Sequence, residues 1–342
     1  MKYSRYYKSL VGGFLTSCLA FLLLTAWQTG APTRQSRWIY ESYQFKSNLV
    51  NSVKSPKLLV ISGSNSLLGI SCEMIQEKTK LSCVNAAINA GLGVNYILHY
   101  ARSFARPGDI ILLPLEYEFY QSDGALDSVL IDYVFARDPQ YLQSIDFQTQ
   151  LRFIEGLSFK RLMTGISSRL ASSKALASSN PPGIQPDNAR SSVMNSYGDR
   201  IDNLEARITP ELRRKIDATQ PMKVNSDMST NMSGFQAIAK FADWCKKNNV
   251  RLLATWPNTI WFKDYEGAIY QVFFQKIENF YRSINVPVIG KYRDSMYEKS
   301  LFYDTNYHLN DRGVRHRTQQ LIEVLQPYLA NPSQRRNFKI NS

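Results

Sequence analysis

The chain has 342 residues, 44% hydrophobic and 20% charged, with 41 Lys and Arg against 28 Asp and Glu, a net charge of +13. That composition argues against global disorder and for one large domain, or one domain with an insertion. The basic excess reads as a solvated surface or as contact with anionic lipid headgroups or acidic glycans, and no zinc-finger spacing or RNP-type aromatic motif points to nucleic acid.

Residues 1–8 carry Lys2, Arg5 and Lys8, and residues 9–27 carry no charge. As a helix the uncharged stretch rises about 28 Å, enough for a hydrocarbon core. Trp27 stands where an interface anchor belongs. We read a retained single-span anchor with a cytoplasmic N-terminus and an extracytoplasmic body. Arg34 and Arg37 beyond the span weaken that orientation. The rivals are a cleaved signal peptide and a lipoprotein box at Leu15-Thr-Ser-Cys18. The apolar run continues past Cys18, and no clean A-x-A site ends it.

Residues 28–56 read as a spacer or short helix. Residues 57–117 form the first half of an α/β core. Leu58 to Ile61 is an apolar strand, Leu67 to Lys78 a helix, Leu81 to Val84 a strand, Tyr96 to Ala105 a helix and Ile110 to Leu115 a strand. Residues 118–232 interrupt the alternation as a helical and loop insertion: a lid, a partner surface or a decoration without function. Within it, Ile145 to Leu170 and Asp202 to Asp217 read as helices, and Ser167 to Ser196 as loop. Residues 233–330 resume the core with helices at Phe235 to Lys247 and Tyr265 to Ser283, strands at Val250 to Trp256 and Val286 to Ile289, and a last helix stepping through Val314, Thr318, Leu321, Leu325 and Tyr328. Residues 331–342 are a basic tail. The expected fold is a three-layer α/β/α sandwich on a five-stranded parallel, flavodoxin-like sheet.

Cys18, Cys72, Cys83 and Cys245 form no C-x-x-C pair, so a zinc or redox site is not expected. A Cys72–Cys83 bridge requires an oxidising compartment. The helix reading of Cys72 and strand reading of Cys83 favour separate buried thiols.

In parallel sheets ligands sit beyond the carboxyl ends of the strands. Ser64, Asn89 with Gly91 and Gly93, Glu116, Asn258 and the loop from Asp304 to His308 all fall there. Ser64 lies at a strand-to-helix turn, which exposes a hydroxyl and an N–H, the place for a nucleophile and an oxyanion. Of three histidines, His99 reads as a helix-surface or core residue and His316 as solvated between arginines. His308 precedes the last helix, which Asn310 or Asp311 would cap. Asp304, four residues earlier, is placed to hold its tautomer. The bland reading of His308 is a satisfied structural histidine in a turn.

With these residues in view, the chain resembles the SGNH/GDSL hydrolase superfamily. Ser62-Gly63-Ser64-Asn65-Ser66-Leu67-Leu68-Gly69 is similar to its first block, Asn85 to Gly93 to its second, and Asp304 with His308 to its last. The resemblance implies Ser64 as nucleophile, His308 as base, Asp304 as its orienter, and an oxyanion hole from Ser64 and Gly91 or Gly93. Three departures stand out. Gly63 replaces the block's aspartate and Ser62 its glycine. Three residues, not two, separate Asp304 from His308. The third block is absent, with Leu113-Pro-Leu-Glu-Tyr117 in its place. The oxyanion asparagine is therefore unassigned, with Asn89 and Asn258 as substitutes.

With the anchor, the resemblance extends to members that work beside membrane-bound O-acyltransferases on acyl esters of cell-surface polysaccharides or teichoic acids. The expected activity is a serine esterase if water accepts the acyl group, or an O-acyltransferase if a sugar hydroxyl does. It needs no metal or other cofactor. The competing expectation is a non-catalytic SGNH-like module that binds glycan or scaffolds a membrane complex. A flavodoxin-like binding protein ranks behind both, because Gly63 and Gly69 alone do not make a phosphate loop.

Overall fold

The structure is a computed structural model that describes residues 2–177, 193–225 and 228–329. The basic tail at 331–342 and residues 178–192 of the polar stretch lie outside the described residues. The chain divides into two compact bodies, Met1–Tyr40 with Leu126–Asp187 and Glu41–Ala125 with Asn188–Ser342.

In the first body, α1 (Lys2–Gln28) contains a stretch, Tyr6–Gln28, long and apolar enough to cross a membrane. The region read as a spacer is largely one helix, α2 (Arg34–Ser52), whose later residues belong to the second body. The helices α7 (Ser128–Arg137), α8 (Phe147–Glu155) and α9 (Phe159–Ala177) complete the first body. The predicted helix from Ile145 to Leu170 is thus two helices, broken by the turn at Gly156, and α9 continues beyond Leu170 into the stretch read as loop.

The second body holds a five-stranded parallel sheet in the order β2-β1-β3-β4-β6. Its members are β1 (Leu58–Val60), β2 (Cys83–Asn85), β3 (Ile110–Leu113), β4 (Arg251–Thr255) and β6 (Val288–Ile289). The first three are buried throughout, as continuous apolar runs in a parallel sheet should be. Two short strands that sequence periodicity does not reveal, β5 (Thr259–Ile260) and β7 (Met296–Tyr297), pair in parallel outside it.

The helix expected from Leu67 is two pieces, α3 (Ser64–Leu67) and α4 (Cys72–Thr79). Further on come α5 (Gly93–Phe104), α6 (Tyr117–Tyr120), α10 (Pro210–Asp217), α11 (Ser233–Lys247), α12 (Ala268–Ser283) and α13 (Asp311–Leu329). Leu58, Val60, Ile110, Leu112, Leu253 and Ile289 pack with residues of α4 and α13 in one core. At the amino ends of β1 and β3, buried Lys57 donates to Asp109 at 2.8 Å, and Asp109 also accepts the Lys57 and Arg106 N–H groups.

The cysteine reading needs correction. Cys72 and Cys83 are bridged, with Cα atoms 5.1 Å apart. Helix or strand membership does not fix Cβ separation, and α4 returns against β2 so that the two first residues meet.

Of the predicted insertion, the described residues 193–225 and 228–232 fall in this body. Asp199 accepts the Cys72 and Glu73 N–H groups at the start of α4. Lys46, fully buried, donates to the carbonyls of Asn85, Ala87 and Gly198. Burial pushes its ammonium down to about 7, with Asp199 opposing.

Candidate active site

The buried end of β1 delivers the chain into Ser62-Gly63-Ser64, and Ser64 opens α3. One side chain braces this turn. Glu116, beyond the end of β3, accepts the Gly63 N–H through Oε2 and the Asn65 N–H through Oε1, both at 3.1 Å. The two bonds straddle Ser64. Asn65 Nδ2 ties the same turn to the Pro114 carbonyl at 2.8 Å. Burial pushes the Glu116 carboxyl up, and its bonds from Asn65 and Gly63 only partly offset this.

On the other side lies a closed loop. Phe302 and Leu309 form an antiparallel bridge, and the Tyr303 N–H bonds the His308 carbonyl at 2.8 Å. Asp304 therefore folds back on His308 despite the longer spacing. Ile216 of α10 packs beneath this loop with Ile260, Tyr297, Phe302 and Leu309. The residues flanking His308 are fastened individually. Asn258 Nδ2 bonds the Tyr307 carbonyl, the Leu309 N–H bonds the Leu68 carbonyl, and Asn203 Nδ2 bonds the Leu309 carbonyl. Asn310 accepts the Gly313 N–H and so caps α13.

These supports bring three predicted residues together. His308 Nδ1 lies 2.6 Å from Asp304 Oδ1, and His308 Nε2 lies 2.8 Å from Ser64 Oγ. Burial works against the Asp304 carboxylate, but the His308 bond and the nearby charges of His308, Lys215 and Arg200 outweigh it and hold the group below the ordinary range. The other histidines sit elsewhere in the fold: His99 is on α5 beside Tyr96, and His316 on α13 is edge-on to Tyr297.

The other candidates are placed differently. The Gly91 N–H donates to Asn89 Oδ1 at 2.7 Å, and the Gly93 N–H bonds the Ala90 carbonyl. Neither N–H is available to an oxyanion. Asn258 is buried, its Nδ2 donates to the Tyr307 carbonyl, and its Oδ1 faces the space above Gly69. It supports the His308 loop. Asn89 Nδ2 and the N–H groups of Ser64 and Ala90 bond to no described residue. Ala90 packs directly on Gly63, with its Cα 2.7 Å from where a Gly63 Cβ would stand. Sequence reasoning named neither Ala90 as a donor nor Glu116 as a brace. The only signal for the latter was an acid at the same sheet edge.

Among the described residues, no three His, Cys, Asp or Glu side chains are grouped to hold a metal ion. Compared with family models, curated proteins and solved structures, the chain matches none.

Proposed function

We propose that this chain is a serine esterase or O-acyltransferase of the SGNH type, acting through Ser64, His308 and Asp304. The observation that carries the reading is the paired contact of one imidazole, 2.8 Å to Ser64 Oγ and 2.6 Å to Asp304 Oδ1. The strand order supports it. Counted within the sheet it runs 2-1-3-4-5, which supports reading the fold as a doubly wound, flavodoxin-like three-layer sandwich, a class whose ligands bind beyond the strand ends.

Chemistry follows from the geometry. Ser64 Oγ attacks the acyl carbonyl while His308 Nε2 takes its proton. Asp304 holds the Nδ1–H and supports the imidazolium. The negative oxygen of the tetrahedral intermediate is met by the N–H groups of Ser64 and Ala90, with Asn89 Nδ2 as a third donor. His308 returns the proton to the departing alcohol, leaving an acyl-Ser64 ester. Water or a glycan hydroxyl, deprotonated by His308, then releases the acyl group.

A membrane anchor at α1 with the body on the extracytoplasmic side suits this chemistry on acyl esters of envelope glycans or lipids, beside a membrane-bound O-acyltransferase. The Cys72–Cys83 bridge supports that side, because disulfides persist in oxidising compartments. The test is labelling by a fluorophosphonate probe. Wild type should label, and Ser64→Ala and His308→Ala should not. Equal labelling of all three refutes the assignment.

A further inference from the structure

Outside α1, nine large apolar side chains are exposed among the described residues, and five of them lie on α8 and α9. Phe147 is 71% and Phe159 75% exposed. Their arrangement is regular. Phe159, Met163, Ile166 and Leu170 recur at helical spacing along one side of α9. The opposite side is fastened to the end of α1. Arg161 donates to Gln28 Oε1 at 2.7 Å, and Arg169 donates to the carbonyls of Trp27 and Thr29. A Cβ on Gly165 would stand 2.0 Å from Gln28 Oε1, so the two helices are in close contact there.

This fastening sets a level. The apolar stretch of α1 ends at Gln28, so a bilayer crossed by α1 has its boundary beside Trp27 and Thr29. The exposed stripe of α9 is held at that same level. Exposed Arg152 and Lys160 stand beside the apolar side chains, where anionic headgroups would meet them.

We propose that α8 and α9 lie in the headgroup–acyl boundary around the exit of α1, seating Phe147, Leu151, Phe159, Met163 and Leu170 in lipid. Interfacial helices of this kind bury their apolar face roughly 5–10 Å deep. The first body is then a membrane-embedded collar and not only a tether. The inference requires α1 to span; it does not depend on the Ser64 chemistry.

The test uses the full chain in vesicles of phosphatidylglycerol and phosphatidylcholine with brominated acyl chains. Phe159→Trp and Leu15→Trp are each read as the emission added over wild type. Both should lose most of that added emission to the brominated lipid, and Phe159→Trp should resist aqueous acrylamide. Quenching of Leu15→Trp alone overturns the proposal while leaving the anchor intact. Quenching of neither overturns both. An unquenched Phe159→Trp in a chain that is dimeric by light scattering assigns the stripe to a second copy and equally overturns it. Phe159→Tyr with unchanged circular dichroism controls for folding. Fluorophosphonate labelling of the same samples is read separately, so a failed catalytic reading is not mistaken for a failed collar.

Discussion

Glu116 fills the space that a side chain at position 63 would need: its Oε1 lies 2.4 Å from where a Cβ on Gly63 would stand. The glycine at 63 therefore has a physical cause. An aspartate at 63 has no room while a glutamate arriving from β3 supplies the carboxylate that braces the turn. The two positions are coupled by volume.

Gly63→Ala should accordingly destabilise the chain by about 1–3 kcal/mol, since Ala90 blocks the other direction of relief. Urea unfolding gives the stability, and probe labelling of Ser64 reports the turn. Unchanged values of both would show that the turn yields easily and that Glu116 does not hold it.

Asp304→Asn keeps the loop closed but presents an amide to His308 Nδ1. The imidazole then favours the tautomer that carries its proton toward Ser64. Turnover of an acyl ester should fall by roughly 10²–10⁴-fold with little change in KM. A loss confined to KM would assign Asp304 to substrate binding instead.

Lys57→Met strands the buried Asp109 carboxylate and should cost about 3–5 kcal/mol. Adding Asp109→Asn removes the charge while leaving an acceptor for a backbone N–H, so part of the loss should return. A double variant as unstable as the sum of its two single variants would rule out coupling between these groups.

Lys46 makes stability depend on pH. Its folded value is about 7 against 10.5 for the free side chain, so between these values the unfolded chain binds more protons. Stability contributed at this position therefore rises with pH across that window and is at its lowest below about pH 7. Urea midpoints at about pH 7 and about pH 9.5 should separate more in wild type than in Lys46→Met. Equal separations would mean that the ammonium stays charged, held by its three carbonyls.

Features local in the chain were legible from sequence. The apolar runs at Leu58 and Ile110 are buried strands, and Ser64 and His308 sit at turns whose residue types announce them. What was not legible depends on distant partners. Glu116 meets Gly63 across 53 positions, with no periodic trace. The glycines at 91 and 93 suggested free backbone donors, yet Asn89 folds onto one and Ala90 takes the other. Cys72 and Cys83 were separated by element type, which says nothing of the distance between their Cβ atoms. Ile216 was read inside an insertion because periodicity gives a helix but not the surface it covers.

The separation of 244 positions from Ser64 to His308 bears on how the protein is made. During synthesis the Ser64 hydroxyl emerges long before the ring it bonds, which stands just ahead of α13. On the proposed reading, a nascent or truncated chain ending before Asp304 carries the serine without its base and has no chemistry.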